Sequence, residues 1–357
     1  MTAAVKNNKS SDDNFHNFRK KILRWYDKHQ RTLPWRATKE QKSNPYHVWL
    51  SEVMLQQTTV ITVGPYFERF ITKWPTIHDL AHAPQDDVMH EWAGLGYYAR
   101  ARNLHKCAQI VSNEYNGKFP DTQEELIKLP GIGDYSSNSI AAIAFNKPAN
   151  VVDGNVERVM VRYYAVQGAL PDNKKQLKEL AGVIAWGEIK RSGDYAQALM
   201  DLGATICTPK NPKCSLCPLK SDCQAKEQGI AADLPKKKPK KAKPQKYGYV
   251  YWVSDAEDNI LLERRGEKEM LGGMLGLPTS EWILGAKPEK HPNHVKHTKP
   301  LDLVIKHSFT HFDLHLNIIT AQSRANIQGN KMVWLNRKKL SQAGLPTLFK
   351  KVVKLMK

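Results

Sequence analysis

The sequence predicts a multi-domain chain, all-α over residues 1–235 and α+β over residues 247–357, joined by a short tether. Three observations predict it. The hydrophobic period changes from helical to alternating partway along the chain. A lysine- and proline-rich stretch stands at the change. Four of the five cysteines crowd into the end of the helical part. At 357 residues the chain is long enough for two cores. Its 41% hydrophobic content is that of a globular protein, and no apolar run approaches the roughly 20 residues a membrane span needs.

The helical part is read from segments such as DNFHNFRKKILRWYDKH, PYHVWLSEVMLQQTTV, EELIKL, SSNSIAAIAF and VERVMVRYYAV. Their apolar residues recur at three and four, with Pro and Gly as punctuation. The stretch 236–246, KKKPKKAKPQK, has seven lysines and no acid, so it reads as an extended, solvated linker. Beyond it, YGYVYWVSD and NILLERR flank a turn-rich DAEDN, and LDLVIKHSFTHFDLHLNIITAQ alternates apolar with polar, which indicates antiparallel strands. The closing KKLSQAGLPTLFKKVVKLM supplies one or two helices.

A net charge of +19 implies a polyanionic partner. The charge is spread: 30 basic against 25 acidic residues before the linker, 17 against 10 after it, and the seven linker lysines between. The lysine run fits a solvating tether or a phosphate-contacting one, and the two roles coexist.

Cys207, Cys214, Cys217 and Cys223 follow the spacing C-x6-C-x2-C-x5-C. Four thiolates so close on a polar stretch form a metal or iron–sulfur site. Disulfides are disfavoured because MTAAVKNNKSSDDNF lacks the apolar run of a secretory signal. Tetrahedral zinc stays open on spacing alone, while the tight run without histidine favours a [4Fe-4S] cluster. Cys107 stands alone and reads as a small buried hydrophobe. His291, His294 and His297, in a proline-bearing loop, form no metal set.

LPGIG (129–133) lies between two helical patterns. Gly131 and Gly133 suit backbone angles closed to other residues and would leave Ile132 to pack inward while N–H groups face out at a helix start. An ordinary helix–helix turn fits too. The L-P-G-x-G form is that of a helix-hairpin-helix, which grips duplex DNA without reading its sequence. Glu52 lies among Val48, Trp49, Leu50, Val53, Met54 and Leu55. Desolvation there would keep its carboxyl protonated and fit to act as a general acid, although most helical glutamates face solvent. Asp153, before a helical repeat, reads as an N-cap; a carboxylate so placed stays ionised and would also stand beside a developing cation. One protonated and one ionised acid is what cleavage of a glycosidic bond requires.

Together these residues resemble one family, the adenine DNA glycosylases of the MutY type, within the helix-hairpin-helix superfamily that also contains endonuclease III. The matching words are LPWR (33–36), NPYHVWLSEVMLQQT (44–58), WAGLGYYARARNLHKCA (92–108), LPGIG, VVDGNVERV (151–159), QALMDLGATICTPKNPKCSLCPL (197–219) and KHSFTH (306–311). The resemblance implies a helix-hairpin-helix glycosylase domain with an iron–sulfur module and a Nudix-like C-terminal domain. It implies that Glu52 protonates N7 of a flipped-out adenine, that Asp153 stabilises the oxocarbenium ion and that Asn155 orients the attacking water. It places Trp35, Arg36 and Gln197 around the adenine, and Gln57 and Tyr97 as wedges in the duplex. For Trp35 and Tyr97, core packing is the bland alternative. Tyr135 stands where bifunctional relatives carry a Schiff-base lysine, which implies base removal without efficient strand cleavage. Asp134 puts an acid where the hairpin is often basic or neutral, so its part in phosphate binding is open.

Phe309, Thr310 and His311 match the family's F-S-H loop, with Thr keeping the hydroxyl. The Nudix hydrolase helix R-E-x2-E-E is missing after LGGMLGLPTSEW, so this domain is expected to recognise and not to hydrolyse. The expected activity is removal of adenine mispaired with 8-oxoguanine or guanine, by a monomer acting on double-stranded DNA in a bacterial cytoplasm. Lys210, Lys213 and Lys220 sit on the cysteine-pinned loops, within reach of phosphates. A glycosylase for another base, or a non-catalytic mismatch sensor built on the cluster and hairpin, are the competing readings.

Overall fold

The computed structural model describes residues 9–38, 41–185, 190–239, 242–286, 288, 299–323, 329 and 331–356. His291, His294 and His297 lie outside them. The chain divides into two compact units, Met1–His78 with Cys107–Pro239, and Asp79–Lys106 with Lys240–Lys357.

The helices in chain order are α1 (Lys9–His29), α2 (Pro45–Leu55), α3 (Val60–Lys73), α4 (Ile77–His82), α5 (Gln85–Trp92), α6 (Ala99–Glu114) and α7 (Gln123–Leu126). They continue with α8 (Asp134–Phe145), α9 (Gly154–Tyr163), α10 (Lys174–Ala185), α11 (Ser192–Thr205), α12 (Gln224–Glu227) and, near the C-terminus, α13 (Thr347–Leu355). In the first unit α1 buries Phe18, Ile22 and Tyr26, one turn apart, and packs on α11. Helix α2 starts at Asn44, whose side chain accepts from the Tyr46 N–H at 2.9 Å, with Pro45 at the first helical position. It then buries Val48, Trp49, Leu50, Val53 and Met54, so it runs through the interior against α8. The apolar pattern predicts a helix that continues to Val60. It stops at Leu55, because Gln57 takes a left-handed backbone (φ 62°) and Thr59 caps a fresh helix, α3.

Helix α11 packs on α1, α8 and α9. Gly203 makes the α9 approach possible: a Cβ there would meet Asn155 Cβ at 2.6 Å. The core beneath comprises Ile22, Val156, Met160, Leu177, Leu199 and Leu202, with all four clustered cysteines against its edge. The all-helical reading misses one pairing here. Strand β1 (Ala169–Leu170) runs parallel to β2 (Lys236–Lys237), so the lysine stretch begins paired and not free.

In the second unit the strands are β3 (Gln245–Ser254), β4 (Asn259–Arg264), β5 (Leu275–Gly276), β6 (Ile283–Leu284), β7 (Lys299–Ser308), β8 (Asp313–Gln322) and β9 (Met332–Asn336). The sheet runs β5-β4-β3-β8-β7, with β6 on β3 and β9 on β4. Antiparallel pairing was expected throughout, yet β3 and β8 are parallel from Gln245↔Asp313 to Ser254↔Gln322. Alternation specifies which face a side chain takes and is silent about strand direction. The faces follow the alternation: Val250, Trp252, Leu314, Leu316 and Ile318 share a core with Leu348, Phe349 and Val352 of α13, while Tyr251, Val253, Leu261 and Ile319 form a second core. Among the described residues no helix is long and apolar enough to cross a membrane.

Candidate active site

The interior path of α2 carries Glu52 into a buried position, 6% exposed. Burial pushes its carboxyl up to about 7; the hydroxyls of Ser139 and Tyr135 and the Arg36 charge oppose this, and the Asp153 charge adds to it. Tyr135 and Ser139 are one turn apart on α8. Sequence reasoning named the first and missed the second, although the four-residue spacing puts both on one face. Tyr135 is itself pushed well above its ordinary range, by burial and then by the Glu52 and Asp153 charges, so it stays a neutral hydroxyl.

Asp153 is the N-cap of α9. Its Oδ1 accepts the N–H groups of Asn155 at 2.9 Å and Val156 at 2.7 Å, and its Oδ2 accepts Asn155 Nδ2 at 2.8 Å. Capping therefore fixes the carboxylate in one orientation. Asn155 Oδ1 in turn accepts from Arg158 Nη2 at 2.9 Å, and the buried Arg158 also donates to Gly203 O at 2.6 Å and Cys207 O at 2.7 Å. A continuous hydrogen-bonded path thus joins the carboxylate to the first cysteine. Arg158 escaped the sequence reading; its position three residues after Asn155 was the available signal.

Glu52 opens on a narrow cleft whose lining includes Trp35, Arg36, Gln197 and Met200. Three pocket residues expected from the resemblance are therefore together with the acid. Trp35 is 8% exposed and packs edge-on against Phe67, so it both lines the cleft and belongs to the core. Gln197 Nε2 donates to Gly193 O at 3.3 Å. Arg36 makes a fork to the fully buried Asp201, Nη1 to Oδ2 and Nη2 to Oδ1, both 2.7 Å. Arg31 adds its Nε at 2.6 Å and its N–H at 3.0 Å. Burial works to raise Asp201, but these donors outweigh it and hold the carboxyl below its usual range. Nothing in the local sequence marks Asp201.

In the hairpin, Ile132 is buried and Gly131 has φ 77°, a conformation that favours glycine. Gly133 does not need that freedom: its backbone is extended (φ −99°, ψ −175°), and it caps α8 with no side chain on the helix N–H groups. Asp134 pairs with Lys178 of α10 at 2.6 Å, so the unexpected acid is neutralised.

Both wedge candidates have left-handed backbones, Gln57 at φ 62° and Tyr97 at φ 49°. Strain at non-glycine residues concentrates at functional positions. Gln57 is exposed, and Tyr97 is 45% exposed, which excludes simple core packing for it. Within the second unit the Tyr97 hydroxyl meets Thr310 Oγ1 at 2.5 Å. Thr310 and His311 are exposed, while Phe309 packs against Phe312 and Trp282.

The four cysteines line one small cavity together with Arg162 and Lys220. Among the described residues no group of three or more His, Cys, Asp or Glu side chains is placed to hold a single metal ion. Four thiols lining one cavity suit an iron–sulfur cluster. The fully buried Arg162 holds the frame: it donates to Cys207 Sγ at 3.3 Å, Thr208 O at 2.7 Å and Leu234 O at 2.9 Å. When bound, the cluster supplies strong iron–thiolate bonds that lock the 207–223 loop. Lys220 Nζ is engaged by Ser215 O at 3.0 Å. Cys107, away from this site, is fully buried.

Residues 50–185 match the HhH-GPD superfamily of base excision DNA repair proteins, 207–223 the iron–sulfur binding domain of endonuclease III, and 249–355 a NUDIX domain. The cluster is accordingly [4Fe-4S]. An adenine DNA glycosylase of Buchnera aphidicola from Acyrthosiphon pisum is 37% identical over 344 residues, 94% of this chain and 96% of the relative. The human adenine DNA glycosylase is 46% identical over 217 residues, 59% of this chain and 40% of that protein. A thermostable thymine-DNA glycosylase superposes with a TM-score of 0.54 at 30% identity, covering 62% of this chain and all of the other. An endonuclease III trapped covalently on DNA shares the fold at a TM-score of 0.50 and 24% identity, over 61% of this chain and 98% of the other. With a buried carboxyl raised towards neutrality, a capped carboxylate beside it and a [4Fe-4S] loop, the chain belongs to the adenine DNA glycosylase family, the DNA N-glycosylases of base excision repair.

Proposed function

We propose that this enzyme removes adenine mispaired with 8-oxoguanine or guanine and leaves an abasic site. The observation that carries the reading is the unequal pair of carboxyls, Glu52 raised to about 7 by burial and Asp153 fixed by three donors. Glu52 delivers its proton to N7 of the extruded adenine, which turns the base into a neutral leaving group. Asp153 faces the sugar as it gains oxocarbenium character, and Asn155 orients the water that attacks it. Trp35, Arg36 and Gln197 border the base, and the Arg36–Asp201 fork keeps that wall rigid. Gln57 and Tyr97 are each candidates to wedge into the duplex.

Tyr135 is neutral and no amine stands in its place, so no Schiff base forms and the enzyme is monofunctional. Gly131 and Gly133 shape the hairpin that holds the phosphates, and Phe309, Thr310 and His311 form the turn that reads the opposite base. In this reading residues 1–235 are the glycosylase domain, 236–246 the linker and 247–357 the recognition domain. It acts as a monomer on the chromosome in the cytoplasm. Single-turnover assays on the 8-oxoguanine:adenine and guanine:adenine duplexes test it. The wild type releases adenine from both without strand cleavage, and Thr310→Ala loses the advantage of the first over the second. Equal discrimination by both proteins would refute the recognition role.

A further inference from the structure

The turn bearing Phe309, Thr310 and His311 connects β7 to β8, and its mouth is closed by side chains that no motif marks. Ser308 Oγ donates to Asp313 Oδ1 at 2.5 Å. On the other side, Gln245 Nε2 donates to Asp313 Oδ2 at 3.1 Å, and the Gln245 Oε1 meets His315 Nε2 at 2.7 Å. In the sheet register Asp313 is opposite Ser308 of β7 and opposite Gln245 of β3. It is thus the point where three strands meet at the base of the turn. Lys243, from the lysine-rich stretch, donates its Nζ to Phe309 O at 2.8 Å, while the Phe309 N–H donates to Phe312 O at 2.9 Å.

We propose that Asp313 is a positioning residue for 8-oxoguanine recognition, with Lys243 as its second support. The proposal rests on the reading that this turn meets the opposite base. A carboxylate suits the place because it accepts on both oxygens, one bond from each neighbouring strand; an amide would turn an N–H₂ towards one of the two donors. The two donors, together with the Lys243 charge, hold the Asp313 carboxyl below its usual range. The bracket sets where the Thr310 hydroxyl stands without touching the DNA. Lys243 does the same from the backbone side, which gives one lysine of the linker a fixed task.

Single-turnover rates on 8-oxoguanine:adenine and guanine:adenine duplexes, with thermal unfolding alongside, test this for Asp313→Ala, Asp313→Asn, Lys243→Ala and Thr310→Ala. Asp313→Ala is expected to slow the 8-oxoguanine duplex about tenfold, the worth of roughly one charge-assisted hydrogen bond, and to leave the guanine duplex within about twofold. Asp313→Asn, which keeps one of the two bonds, and Lys243→Ala fall between it and the wild type. If Thr310→Ala abolishes the discrimination and Asp313→Ala preserves it, the positioning role is wrong while the reading of the turn stands. If both variants preserve it, the reading of the turn fails and takes the proposal with it. An equal loss on both duplexes with a lowered unfolding midpoint would also overturn the proposal, as it marks a merely structural residue.

Discussion

Glu52 is held where a protonated carboxyl is useful and an ionised one is costly. A folded-state value of about 7 against the ordinary 4.5 means that the native state keeps a proton the unfolded chain releases. The sign follows directly: the stabilising contribution is complete below about pH 4.5 and is lost as pH rises through about 7. Two outcomes are expected. Base release by the wild type declines as pH climbs past about 7, because the acid is lost. Glu52→Gln, neutral at every pH, unfolds at a higher temperature than the wild type at pH 8, with a gain of up to about 3 kcal/mol. A pH–rate profile and calorimetry at pH 5 and pH 8 check both. The burial of Glu52 was suggested in the sequence because its flanking residues are apolar on nearly every side, and its role as the acid came from the family resemblance; its hydroxyl neighbour Ser139 and the Arg36–Asp201 fork were not legible, since each joins residues far apart in the chain.

Helix α9 concentrates the chemistry of one element. Its cap is Asp153, its first turn holds Asn155, and Arg158 and Arg162, one turn apart, reach Cys207 through its carbonyl and its sulfur. The two arginines are expected to separate. Arg158→Ala removes the donor to Asn155 and slows base release about tenfold or more while iron content is kept, because a lost hydrogen bond to a charged group costs about 1.5–3 kcal/mol. Arg162→Ala strips a buried frame and yields iron-poor protein. Iron analysis and single-turnover rates on both variants decide this, and equal iron loss in the two would contradict the division. Element boundaries were readable where caps are chemical, as at Asn44 and Asp153, and unreadable at Leu55, where a left-handed Gln57 ends a helix that apolar periodicity would extend. Strand direction in the β3–β8 pair was likewise invisible, since alternation is the same for either direction.

Across the whole molecule, the two units have separate cores, and the cysteine loop packs on the first, with Leu219 buried in it and the four cysteines against its edge. Nothing in the hydrolysis of a glycosidic bond consumes an electron, so we propose that the cluster serves to fold and dock the loop it holds. Cys214→Ser is expected to lose iron and to weaken DNA binding about tenfold or more, as the basic loops lose their frame. Undiminished affinity in an iron-free protein, read by fluorescence anisotropy, would count against that role. Whether Glu52 is the acid is decided by adenine release from an 8-oxoguanine:adenine duplex under single-turnover conditions by Glu52→Gln. Duplex binding is expected to be unchanged and the rate lowered roughly 10²–10⁴-fold, the range of a lost general acid. Release at the wild-type rate would contradict that role.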